Sequence, residues 1–245
     1  MGTIERNKEE KLNKAGFTLV ELLITVVISG LIMAAVYSGY SINQKVYNNE
    51  QNIVEMQQNI RVAMAFMVND IRMAGYDPTG NAGATICNAT QGWFSFTQDL
   101  DELNGVPTCA GVVTPGQNPG EYVAYGFSNA VGGDDIDRDG IPDAGGATEL
   151  RRELNTGGYW EVASGIAAIE FNYIMEDGST SLAPTNLDEI VKVQVTILAQ
   201  SGIVDQKFNN TMVYTTGSGA SWGPFDDNIR RRMLTTTIHC RNMGI

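Results

Sequence analysis

Residues Lys14–Tyr37 read KAGFTLVELLITVVISGLIMAAVY. Basic residues and the small pair Ala15–Gly16 come first. An apolar stretch follows from Phe17 to Tyr37, with Glu21 as its one charge. A secretory signal peptide has the opposite order: its small-residue cleavage site follows a shorter apolar core, which cleavage discards. A cut after Gly16 would remove only a polar leader and leave the apolar segment on the mature chain. That segment is 21 residues, about 30 Å as a helix, enough to cross a bilayer core. A carboxylate inside such a segment is costly in hydrocarbon and is as a rule paired or functional. The plainer reading is that Glu21 marks the ragged start of an ordinary membrane anchor.

Gly16, Phe17, Thr18, Leu19, Val20 and Glu21 together resemble the class III signal of type IV pilins and of the pseudopilins of type II secretion. The resemblance implies a prepilin peptidase that cleaves between Gly16 and Phe17 and methylates the new amine on Phe17. It also implies that Glu21 pairs with the N-terminal amine of a neighbouring subunit during assembly. Implied partners are the peptidase, other pilins or minor pilins, an inner-membrane assembly platform, and membrane lipid before assembly. The implied location is a single pass through the inner membrane, then a pilus or cell surface.

The net charge of the 245-residue chain is −12. The leader carries four basic and three acidic residues, so the part from Phe17 onward is at −13. Such an acidic chain argues against direct nucleic-acid binding, which needs positive charge to displace counterions. The leader's small positive excess fits a cytoplasmic flank and puts the C-terminal part outside. There Cys87, Cys109 and Cys240 can hold disulfides.

Beyond the membrane block, Ile42, Val46, Ile53, Met56, Ile60, Ala63, Met64, Met67 and Ile71 recur mostly at spacings of three, four and seven. This predicts one long helix to about Ala74, its second half packed on a sheet and its first half bare for lipid or other subunits. Gly75 and Asp77–Pro78 end it. Any kink is expected at Gly30 or Gly39. The stretch RVAMAFMVNDIRMAGYDPTG, Arg61–Gly80, resembles the same part of PilW-type minor pilins, above all DIRMAGY at Asp70–Tyr76. Otherwise it is an amphipathic helix end with Asp70 and Arg72 as solvated charges.

From Tyr76 the pattern turns to short β-like runs: Trp93–Phe96, Glu121–Phe127, Thr148–Leu154, Tyr159–Val162, Ile169–Met175, Ile190–Ala199, Thr211–Thr215 and Arg232–Cys240. Loops are expected at Asn104–Pro107, Pro115–Gly120 and Ser218–Pro224, with loop-rich insertions between residues 77 and 147. The fold class is α+β, a long N-terminal helix packed on an antiparallel β-sheet head. It divides into leader 1–16, helix 17–75 and head 76–245.

Catalytic patterns are missing from the sequence. His239 is the one histidine, and no G-x-S-x-G, C-x-x-C, H-E-x-x-H, P-loop or dinucleotide glycine motif accompanies it. No cofactor is required. The sharpest local signal is GGDDIDRDGIPDAGG at Gly132–Gly146, where Asp135, Asp137 and Asp139 alternate before Gly140. This spacing lets a tight loop turn several carboxylates onto one calcium ion. Asp143 is a further ligand, Ile141 offers a carbonyl, and Glu149 would have to fold back to close the site. A solvated acidic turn is the alternative. Three pairings of the cysteines are open to the sequence; the preferred one joins Cys87 to Cys109 and leaves Cys240 free or buried, closing a 22-residue span worth about 3 kcal/mol by restricting the unfolded chain. Arg230, Arg231 and Arg232 read as strand-flanking surface. The function expected is a structural minor pilin; its rivals are a J-type pseudopilin and a pilus-borne adhesion module.

Overall fold

The computed structural model describes residues 16–103, 105–112, 114, 117–127, 135–143, 149–154 and 159–243. The leader up to Ala15 and the flanks of the acidic stretch, 132–134 and 144–146, lie outside the described residues. Helix α1 runs Leu19–Ile71. No proline falls in it, and it passes Gly30 and Gly39 without a break. Its start is a capping box: Glu21 N bonds to Thr18 Oγ1 at 3.3 Å, and the Glu21 carboxylate accepts from Thr18 N at 2.9 Å. Its end tightens into i→i+3 bonds at Met73 and Ala74, and Gly75, at φ +71°, turns the chain so that its N–H bonds to Thr97 O. A Cβ on Gly75 would also strike Met243 Sδ at 2.4 Å.

The chain divides into two units, one up to Asn48 and one from Asn49 onward. In the first, none of the described side chains is buried. In the second, Met56, Ile60, Ala63, Met64, Met67 and Ile71 of α1 are buried at spacings that share one helical face. They join a core with both main sheets.

The strands are β1 (Ile86–Ala89), β2 (Trp93–Thr97), β3 (Tyr122–Gly126), β4 (Leu150–Leu154), β5 (Tyr159–Ala163), β6 (Ile166–Met175), β7 (Thr180–Ser181), β8 (Ile190–Gln200), β9 (Tyr214–Thr215), β10 (Ser221–Trp222) and β11 (Arg231–His239). Where one sheet was expected, the structure has a five-stranded sheet β1-β2-β3-β4-β5, a four-stranded sheet β11-β8-β6-β7 and a ribbon β10-β9, all antiparallel. The insertion region is correspondingly more regular than its composition suggests, since β1 to β3 lie in it. The Phe94 ring lies 5.5 Å from Phe96, 5.9 Å from Phe171 and 5.6 Å from Tyr173, so aromatic packing joins the two sheets.

In β8, Val193, Val195, Ile197 and Ala199 face the main core. Leu198 points the other way, into a small cluster with Ala168, Tyr214 and Trp222. The alternation predicted a half-buried strand; both faces are covered because residues 201–230 fold back over the outer one. Buried Glu170 receives Ser218 N and Oγ at 3.1 and 2.8 Å on that side. Two arginines of the basic run fasten this cover. Arg230 pairs with Asp205 at 2.8 Å and lies 4.3 Å from the Phe208 ring; Arg231 pairs with Asp227 at 2.7 Å and lies 3.8 Å from the Phe225 ring.

Candidate functional site

Two places carry the sequence-predicted residues. At the first, Gly16 and Phe17 precede the helix, Phe17 with 90% of its surface exposed. The Glu21 carboxylate accepts from both Thr18 N and Thr18 Oγ1 at 2.9 Å, and both bonds fall on Oε2. Behind it Leu22, Ile24, Val27, Leu31 and Val36 stand exposed on every side of the helix. An 18-residue window of α1 reaches a mean hydropathy of 2.5 with nothing buried, which fits a membrane span by length and composition.

The second place is the turn Asp135–Asp143. One carboxylate oxygen from each of Asp135, Asp137 and Asp139 lies within 4.8 Å of the others. Asp135 is 1% exposed; its Oδ2 accepts from Gly140 N at 3.0 Å, while Oδ1 has no donor. Burial first, then Asp139 and Asp137, pushes Asp135 up to about 6 despite the Gly140 bond. Burial and the neighbouring Asp137 and Asp143 also raise Asp139. Asp139 Oδ1 accepts from Ile141 N at 2.8 Å, and Asp137 Oδ1 from Asp139 N at 3.3 Å.

Asp143 stands apart from the three-carboxylate group, and its Oδ2 accepts from Ile136 N at 2.8 Å. Glu149, which would have to fold back to close the site, is not in the group of three carboxylates. Its carboxylate lies 3.6 Å from Arg151, an opposite charge on its own strand segment.

A second acidic group, Asp99, Asp101 and Glu121, escaped the sequence reading because Glu121 is distant in the chain. Buried Glu121 accepts from Leu100 N and Asp101 N at 2.9 and 3.3 Å on Oε1, and burial raises its pKa. Cys87 and Cys109 are joined by a disulfide; Cys240 is free and buried, and burial pushes its thiol up to about 12. His239 is exposed on β11.

Asp70, read as a solvated charge, instead anchors the helix. Its Oδ2 accepts from Tyr125 OH at 2.5 Å and from Arg152 Nε at 2.6 Å, which ties α1 to β3 and β4. Tyr125 and Arg152 follow it by 55 and 82 residues, so no local signal could have paired them.

The prokaryotic N-terminal methylation motif matches residues 11–37. Beyond that N-terminal stretch, the chain continues helix α1 and forms antiparallel sheets. It is similar to a type IV-like pilin from Thermus thermophilus, at 14% identity and a TM-score of 0.44, covering 77% of this chain and 98% of that one. No curated protein matches the chain.

Proposed function

We propose that the protein is a structural minor pilin of the PilW type, incorporated into a type IV pilus or priming its assembly after cleavage between Gly16 and Phe17. The observation that carries this reading is the N-terminal pattern as a unit: Gly16 and Phe17 before, and Glu21 in the first turn of, a helix whose first-half apolar residues stay exposed. In the membrane that surface meets lipid. In a filament it meets the like helices of neighbours, so lipid contact is exchanged for similar contact and extraction is feasible. Glu21 then exchanges Thr18 for the Phe17 amine of an adjacent subunit, and the charge gains a counter-charge.

Support for the narrower PilW-type reading is the segment Asp70–Tyr76, whose Asp70 fixes the helix end to the head. The head supplies packing and surface. No triad or metal-hydrolase constellation occurs among the described residues, and the reading assigns no chemistry to them.

Shearing of pili from cells that express a tagged full chain tests the proposal. The mature protein should co-purify with the major pilin at a small fraction of its amount. Recovery with a secretion pseudopilus, and its absence from pili, would place the chain with the J-type pseudopilins.

A further inference from the structure

The turn Asp135–Asp143 bridges the two main sheets. Gly92, between β1 and β2, donates its N–H to Arg138 O at 2.8 Å; Ile169 N, on β6, bonds to Gly140 O at 2.8 Å. Phe171 N, also on β6, bonds to Gln91 O at 2.8 Å. The approach is tight enough that only glycine fits at Gly140, where φ is +82° and a Cβ would lie 1.9 Å from Ile169 O. A Cβ on Gly92 would lie 2.2 Å from Gly140 N. The Arg138 guanidinium stacks over Trp93 of β2 at 5.1 Å. A rigid turn here therefore holds the five-stranded sheet to the four-stranded one.

The same turn contains an unresolved electrostatic conflict. Asp135 is 1% exposed, its Oδ1 has no donor, and the Asp137 carboxylate lies beside it. A buried acceptor without a donor is destabilising, and like charges add to it. Oxygens bound to calcium at about 2.4 Å lie no more than about 4.8 Å apart, and one oxygen from each of the three carboxylates lies within 4.8 Å of the others. We propose that Asp135, Asp137 and Asp139 form a calcium site, and that the bound ion fixes this turn as the clasp between the two sheets. The site does not depend on which filament the chain enters.

Calcium alone is the probe, titrated into the chelator-stripped full chain in detergent micelles. Calorimetry should give one saturable site per chain at or below about 1 mM, the range of extracellular modules. At tenfold excess over Kd, the melting temperature should rise by about 3–6 °C over chelator. Amide exchange should slow at residues 91–92 and 169–171 and stay unchanged along β11. Magnesium should bind at least about tenfold more weakly, because it demands a tighter octahedral shell.

Asp137→Asn with Asp139→Asn should abolish the binding and the shift, while Asp101→Asn, in the other acidic group, should keep both. If the double variant fails to fold, Asp139→Asn alone should weaken binding at least about tenfold, since Asp139 is only half-buried. Terbium emission sensitised by tryptophan and displaced by calcium gives a second measure on the unmodified chain. No saturable binding up to about 10 mM overturns the site, as does binding that survives the double substitution. Binding with unchanged exchange at residues 91–92 and 169–171 overturns the clasp.

Discussion

Helix α1 carries two kinds of apolar surface on one continuous element. From Leu19 to about Tyr40 the apolar residues surround the helix and are exposed. From Met56 to Ile71 they keep to one face and are buried. An apolar stripe with polar residues opposite identifies a partner inside the same chain, whereas an all-round apolar surface identifies a partner outside it. The first half is therefore built for lipid and neighbouring subunits, and the second half for the head. Glu21 sits in the first kind of surface and Asp70 in the second. Asp70 already has its partners in Tyr125 and Arg152, while among the described residues the Glu21 carboxylate is held by Thr18 of its own turn.

That contrast can be broken most severely at Glu21. Glu21→Val removes a charge that is costly in lipid, so membrane insertion should be equal or better. Recovery in sheared filaments should nevertheless fall at least about tenfold, a loss of roughly 1.4 kcal/mol or more in assembly equilibrium. Equal recovery of variant and unmodified chain would remove any assembly role for Glu21.

A second effect, read in folding rather than assembly, separates the two surfaces by stability. Met67→Ala empties a fully buried position and should destabilise the head by about 2–5 kcal/mol in denaturant titration. Ile28→Ala, at a position half exposed, should leave head unfolding unchanged. A head that loses equal stability from both would show that the first half of α1 also belongs to the folded core.

The smallest effect sharpens the Asp70 anchor. Asp70→Asn keeps the shape but withdraws the charge from Arg152 and Tyr125. The ion pair is about one-fifth exposed, with side-chain values of 22% for Arg152 and 18% for Asp70. The expected loss is therefore about 1–3 kcal/mol, less than for a fully enclosed pair. Arg152→Ala should add little once Asp70 has been changed, because the two act as one contact.

What the sequence revealed follows from the range of each interaction. Helix α1 was legible because its stripe recurs over many turns and no proline interrupts it. Strands β6, β8 and β11 were legible because they are long and patterned. The two-residue strands β7 and β10 are too short to show a period, and β1 lies in a stretch crowded with Gly, Ala and Thr. The existence of two sheets was hidden, since strand partners such as β6 and β8 are decided by contacts distant in sequence. At the acidic turn, alternate Asp residues were visible, but the docking of Gly140 on Ile169 and the burial of Asp135 were not. Asp143 read as a further ligand from spacing, and Glu149 as a residue that would have to fold back; in the fold Asp143 accepts from Ile136 N and the Glu149 carboxylate lies 3.6 Å from Arg151.

The division of labour along α1 begins with one cut. Intact mass spectrometry of the protein purified from cells containing a prepilin peptidase reads it directly. The expected mature chain begins at Phe17, carries one added methyl group on its amine, and retains the whole apolar segment. A mature chain that begins at Met1, or one cut beyond Tyr37 so that the segment is lost, would contradict the assignment of Gly16–Glu21 as a class III signal.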